Sequence, residues 1–120
     1  MASPSSPTVA GHFKDRPTVV RDTYDAVLTA ARALGPVREE PKKTSIHLCR
    51  KTAFAGVATR RNGIVLTLKV AADIRSGRVR RREHASAHRW HVEIDLTDPK
   101  QVDRELRGWI KRAYELGAER

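Results

Sequence analysis

From Pro17 onward the apolar positions Val20, Tyr24, Val27, Leu28, Ala31 and Leu34 recur three and four residues apart, a spacing that gathers side chains on one face of a helix. Pro17 suits a first helical turn and Gly35-Pro36 supplies a stop, so the pattern predicts a helix over this stretch. Between Thr44 and Leu96 the period shortens to two, most plainly in Ile64, Leu66, Leu68, Val70 and in Trp90, Val92, Ile94, Leu96. Such alternation predicts half-buried antiparallel strands. Two more are predicted at about Thr44 to Cys49 and Ala53 to Thr59, joined by a tight turn at Arg50-Lys51, and Asn62-Gly63 carries the signal of a two-residue hairpin loop. A last helix is predicted from an Asp98 N-cap, with Pro99 in its first turn and Gln101 completing a capping box, to Gly117. Its stripe is Val102, Leu106, Trp109, Ile110, Ala113 and Tyr114, with Asp103 and Arg107 paired across a turn on the outside.

These elements predict a two-layer α+β domain: a four-stranded, mainly antiparallel sheet with the N- and C-terminal helices packed on one face. Residues 1–11, rich in Ser, Pro and small residues, read as a disordered tail, and 12–120 as a single domain. The connection from Ala71 to Ala87 reads as a long loop. Alternation also dictates the opposite face of the sheet. If Trp90, Val92, Ile94 and Leu96 meet the helices, then His91, Glu93 and Asp95 point away, beside Thr67 and Lys69, and beside Ser45, His47 and Cys49 of the first strand.

Charge changes this picture most. The chain of 120 residues carries a formal net charge of +10, and residues 42 to 91 hold thirteen Lys and Arg against only Asp73 and Glu83. A surplus confined to one segment creates a one-sided field that attracts phosphates. Arg75, Arg78, Arg80, Arg81 and Arg82 place five guanidiniums in eight residues, each able to grip phosphate oxygens without reading sequence. Lys42, Lys43, Arg50, Lys51, Arg60 and Arg61 fall at strand ends or turns, where they extend a phosphate-tracking groove or merely blunt sheet edges. The single Cys49 makes no internal disulfide, no secretory leader is evident and no apolar run approaches the ~20 residues of a membrane span. The expectation is a cytoplasmic protein with no membrane partner.

Candidate chemistry is sparse. Cys49, with His47 two residues away and His91 on a neighbouring strand, is the one arrangement resembling a nucleophile with its base, while a lone Cys is commonly a small packing residue. Glu93 and Asp95 share a strand face as paired carboxylates would, or belong to a solvated face. His84, His88 and His91 crowd into eight residues; if His84 to His88 forms a helical turn they share a face, yet the spacing matches no zinc motif, and the reading is no metal and no cofactor. Isolated Gly56 and Gly63 make no phosphate loop, and the aromatics sit on core-facing phases, leaving no platform for stacking bases.

His12-Phe13 before a Pro-initiated helix, Leu34-Gly35-Pro36-Val37, Lys42 to Leu48, Phe54-Ala55-Gly56-Val57, the strand Val92 to Leu96 and Trp109 to Leu116 together resemble small bacterial domains of unknown function. The order of elements is similar to the MmcQ/YjbR-like arrangement over about residues 12 to 117. The resemblance implies the fold and, since DNA binding has been proposed for YjbR-like relatives, a nucleic-acid partner. The favoured function is therefore a non-catalytic binding module for nucleic acid or another polyanion. The alternatives are a small enzyme or ligand-binding protein using His47, Cys49, Lys69, His91 and Glu93 on the outer face, and an interaction module for an acidic protein.

Overall fold

Thr8 accepts a hydrogen bond from the Gly11 amide and so caps a one-turn helix, α1 (Val9–Phe13). The computed structural model describes residues 6–118. Of the stretch read as a disordered tail, residues 1–5 lie outside the described ones, and helix begins at Val9. It is tied to the body through Phe13, whose ring centroid lies 5.1 Å from that of Tyr24, and through His12 Nε2, 2.7 Å from the Lys42 carbonyl oxygen. In α2 (Thr18–Arg32) the buried residues Val20, Tyr24, Val27, Leu28 and Ala31 form the expected stripe. Gly35, at φ 153°, turns the chain afterwards where an L side chain is strained and where a Cβ would collide with the Tyr114 hydroxyl.

Six strands follow, not four: β1 (Arg38–Pro41), β2 (Ile46–Cys49), β3 (Ala53–Thr59), β4 (Ile64–Val70), β5 (Val79–Ser86) and β6 (Arg89–Leu96). Their order is β1-β2-β3-β4-β6-β5, and every neighbouring pair is antiparallel. The expectation of four strands fails at both edges for one reason. An edge strand buries little, so neither Arg38-Glu39-Glu40-Pro41 nor Val79 to Ser86, of which only Val79 is buried, shows the alternation that marks the central four. β1 is anchored instead by Glu39, which accepts a 2.5 Å hydrogen bond from the buried Tyr24 hydroxyl and pairs with Arg32 at 3.4 Å. Burial, then Glu39, pushes the Tyr24 hydroxyl far above the ordinary phenol range.

Register sorts the two faces. Leu48, Ala55, Leu68 and Val92 stand in one cross-strand row against the helices, and His47, Gly56, Thr67, Glu93 and Arg81 stand in the next row on the far side. The β3–β4 loop differs from the expected two-residue hairpin: it runs over residues 60–63, closed by the Arg60 amide donating to the Gly63 carbonyl at 2.8 Å. No positive φ occurs at Asn62 or Gly63; glycine is required there because a Cβ would strike the Leu96 carbonyl oxygen.

Helix α3 (Arg104–Leu116) also starts differently from expectation. The Asp98–Gln101 capping box forms, but it opens only a 3-10 turn over Pro99–Gln101, and Asp103 then caps α3 by accepting from the Leu106 amide at 3.0 Å. That amide, then Arg78, holds the Asp103 carboxyl below its usual range. The expected Asp103–Arg107 pair is replaced, since Arg107 donates to the Val102 carbonyl at 3.0 Å. Leu106, Trp109, Ile110, Ala113 and Tyr114 form the buried stripe. With α2 and the inner sheet face they make one continuous core, each large apolar side chain contributing about 1.5–3 kcal/mol by burial. Among the described residues no helix is long and apolar enough to cross a membrane.

Candidate polyanion-binding face

The arginine-rich stretch is not a loop. Its second half is edge strand β5, and backbone pairing distributes the guanidiniums among different neighbours. Arg78 is pinned beneath α3: it donates to Asp103 at 3.0 and 3.1 Å, to Glu105 at 3.1 Å and to the Gln101 carbonyl at 2.7 Å, with its guanidinium 5.6 Å from the centre of a Trp109 ring. Arg82 points to the helix side, bonded to Asp73 at 3.0 Å and to the Ile74 carbonyl at 3.1 Å. Arg75 shares the same Asp73 at 3.2 Å, and Arg80 pairs with Asp95 at 3.0 Å. A register irregularity between Val79 and Arg81 brings Arg80 and Arg81 onto the outer face together. Arg81 alone of the five has no ion pair among the described residues. Exposed pairs such as Arg75–Asp73, whose arginine side chain is 91 % exposed, contribute only about 0–1 kcal/mol and exchange readily for a phosphate.

The basic turns do not form one groove. Lys42 and Lys43 in the β1–β2 turn and Arg60 and Arg61 in the β3–β4 turn lie side by side at one end of the sheet, because hairpins of an antiparallel meander alternate ends. Arg50 and Lys51, in the β2–β3 turn, lie at the other. There Arg50 stacks 4.4 Å from the Tyr114 ring centroid and donates to the Tyr114 carbonyl at 3.4 Å, while the Lys51 and Thr52 amides both donate to the Gly117 carbonyl at 3.1 Å. This turn serves as the C-terminal cap of α3.

Between the two ends no helix among the described residues covers the outer face. Ser45, His47, Gly56, Thr67 and Lys69 surround a shallow depression of about 200 Å³, and Thr67 is shared with a second, of about 160 Å³, walled by Arg81, Glu83, His91 and Glu93. Gly56 leaves the first hollow: the nearest atom to a Cβ placed there is His47 Cδ2 at 3.9 Å. Burial, then the charges of Lys42 and Lys69, lowers the His47 pKa below its usual value, against a smaller opposing effect of Glu40. Lys69 has no carboxylate partner among the described residues. In the second depression His91 Nδ1 lies 3.3 Å from Glu83, and Glu93 stands opposite Arg81. Glycine at a polar phase of β3 was the readable sign of the hollow; that Arg81 would be left unpaired had no sign in the sequence.

The remaining candidates fare worse. Cys49 shares the outer face with His47 but is only 3 % exposed, lying opposite Arg38, which pairs at 3.2 Å with Glu40. Burial, then Glu40, pushes its thiol up, the reverse of what an attacking thiolate needs. The expectation that Cys49 stands open on the outer face is therefore corrected: the strand phase is right and the β1 edge, unseen in the sequence, covers the sulfur. His84 and His88 do not share a helical turn; they sit in the β5–β6 hairpin, where His84 stacks on the half-buried Trp90 with ring centroids 4.1 Å apart. Among the described residues no three His, Cys, Asp or Glu side chains converge to hold a metal ion. Asp95 is engaged by Arg80 rather than poised beside Glu93 as an acid–base pair.

No curated protein and no solved structure matches the chain. One family model does, over residues 9–117, which takes in every strand, all three helices and both depressions. The chain thus belongs to the family described as a domain of unknown function (DUF5655).

Proposed function

We propose that the protein is a non-catalytic binding module for a phosphate-bearing polyanion, with nucleic acid as the partner class. One observation carries the reading: after intramolecular pairing, Lys43, Arg60, Arg61, Lys69 and Arg81 have no carboxylate partner among the described residues, and they lie on the uncovered sheet face and the adjoining turn-lined end. Cations kept without counter-charges gain most from phosphate, since each contact releases a condensed counterion. The partially neutralised Arg75, Arg80 and Lys42 add to the same field, whereas Arg50, Arg78 and Arg82 hold the fold together and take no part. The same proposal includes a reducing, cytoplasmic setting and kinship with MmcQ/YjbR-like domains.

A titration with duplex and single-stranded DNA at two salt concentrations tests it. Affinity should fall steeply with salt and depend little on sequence, because contacts of this kind address the backbone alone. Wild-type protein that leaves both nucleic acids unbound at low salt sinks the reading.

A further inference from the structure

Within that face the Gly56 hollow has a composition of its own. Two hydroxyls, Ser45 and Thr67, an imidazole, His47, and an ammonium, Lys69, border a space floored by a residue with no side chain, and Lys42 stands near enough to act on His47. No hydrogen bond or ion pair within the described residues engages Ser45, His47, Thr67 or Lys69 side chains. Like charges gathered around a hollow with their donors unused form a cradle for a compact anion of more than one negative charge. A phosphomonoester offers three terminal oxygens and two negative charges to these four donors, more oxygens than a carboxylate and more charge than either a carboxylate or a chloride.

The geometry points to a subsite for a phosphomonoester dianion, held by Lys69, His47, Ser45 and Thr67, and supplied either by the terminal phosphate of a nucleic acid or by a small phosphorylated molecule. This rests on the electropositive face of the reading above and adds a discrete site to it. Binding takes up a proton on His47: burial disfavours its imidazolium most, then Lys42 and Lys69, and the dianion offsets those two charges; the other charged group facing the ring is Glu40, while β3 lines the hollow with Ala53, Ala55, Gly56, Val57 and Ala58 and brings no charge there.

The test follows backbone amide and His47 ring signals by NMR as inorganic phosphate is added at constant ionic strength. Shifts should centre on Ser45, His47, Gly56, Thr67 and Lys69. Lys69→Gln should weaken binding about tenfold, the loss of one charge-assisted hydrogen bond. Gly56→Val should abolish binding without loss of stability, since its Cβ meets nothing closer than 3.9 Å and a β-branched residue suits a strand. The ratio of wild-type to His47→Gln affinity should rise as the pH is lowered, a comparison in which the titration of phosphate itself cancels. Shifts spread evenly over the Lys43, Lys51 and Arg60 turns, or phosphate binding undiminished in Gly56→Val, overturn the subsite. Oligonucleotides with and without a 5′-phosphate identify the source: a preference for the phosphorylated end that disappears in Gly56→Val assigns the chain terminus, and phosphate binding with no such preference assigns a free phosphomonoester. Salt-dependent DNA binding that survives in Gly56→Val while phosphate binding never appears removes the subsite and leaves the polyanion module standing; the opposite pair of results removes the module and keeps the subsite.

Discussion

Leu66 and Thr67 are adjacent in β4 and face opposite environments. Leu66 is fully buried in the row Val57–Leu66–Ile94 beneath the helices, and Thr67 stands half-exposed in the row His47–Gly56–Thr67–Glu93. On the inner face each large apolar side chain of the core has found a partner. On the outer face hydroxyls, an imidazole and an ammonium stay without one, although β1 and β5 bring carboxylates nearby. Glu40 is engaged by Arg38 and Lys42, Glu83 by His91 and Asp95 by Arg80. The difference teaches that one backbone separates two jobs: groups that stabilise are saturated, and groups left unsaturated are the ones available to a ligand.

The largest test of this division is Trp109→Ala, expected to cost about 3–5 kcal/mol in urea or thermal unfolding, against a change within about 0.5 kcal/mol for Thr67→Ala. Comparable losses at both would erase the distinction between faces. Next, Arg78→Ala removes a guanidinium bonded to two carboxylates and should cost about 1.5–3 kcal/mol while leaving the salt dependence of DNA binding untouched. The triple change Lys43→Ala, Arg60→Ala and Arg61→Ala should do the converse, making the slope of log K against log salt shallower by ~3 at unchanged stability. A slope that responds to Arg78 would show that the pinned arginine is released for binding. Cys49 should react with a thiol probe more slowly than an open thiol near pH 8 and speed up on adding denaturant, because β1 covers it. Rapid modification in the native state would place it on the open face after all.

The smallest effect is the pH dependence from His47. Its folded pKa lies below the ordinary 6.5, so the unfolded chain binds the proton more readily, and stability is full above that value and declines as pH falls through the window beneath it. His47→Gln should flatten that decline. A decline left unchanged in the variant would assign it to another group.

Alternation revealed the four central strands and the residues of the outer face because each of those strands has one side in the core. The two edge strands escaped it, since Arg38 to Pro41 and Val79 to Ser86 are held by backbone bonds to a neighbour and their side chains answer to charge rather than burial. Two misreadings of the site follow from those edges. β5 turned a supposed arginine loop into a ladder with fixed partners, and β1 closed over Cys49. The fate of individual arginines was out of reach for another reason: Arg78 meets Asp103 and Glu105 across 25 and 27 residues of sequence, and no local pattern encodes such a pairing.

The Gly117 carbonyl accepts from both Lys51 and Thr52, and a Cβ at Gly117 would strike Phe54, so the hairpin between β2 and β3 finds its final contacts some 65 residues downstream. During synthesis that hairpin therefore emerges long before the segment that completes it. Until residue 114 has been added the Phe54 ring lacks its edge-on neighbour Tyr114, and until residue 117 two turn amides lack their acceptor. The part of the sheet's apolar side that α3 covers stays open for the whole of that interval even though α2 is already made, and closure of the domain is a late event governed by long-range contacts rather than by local helix formation.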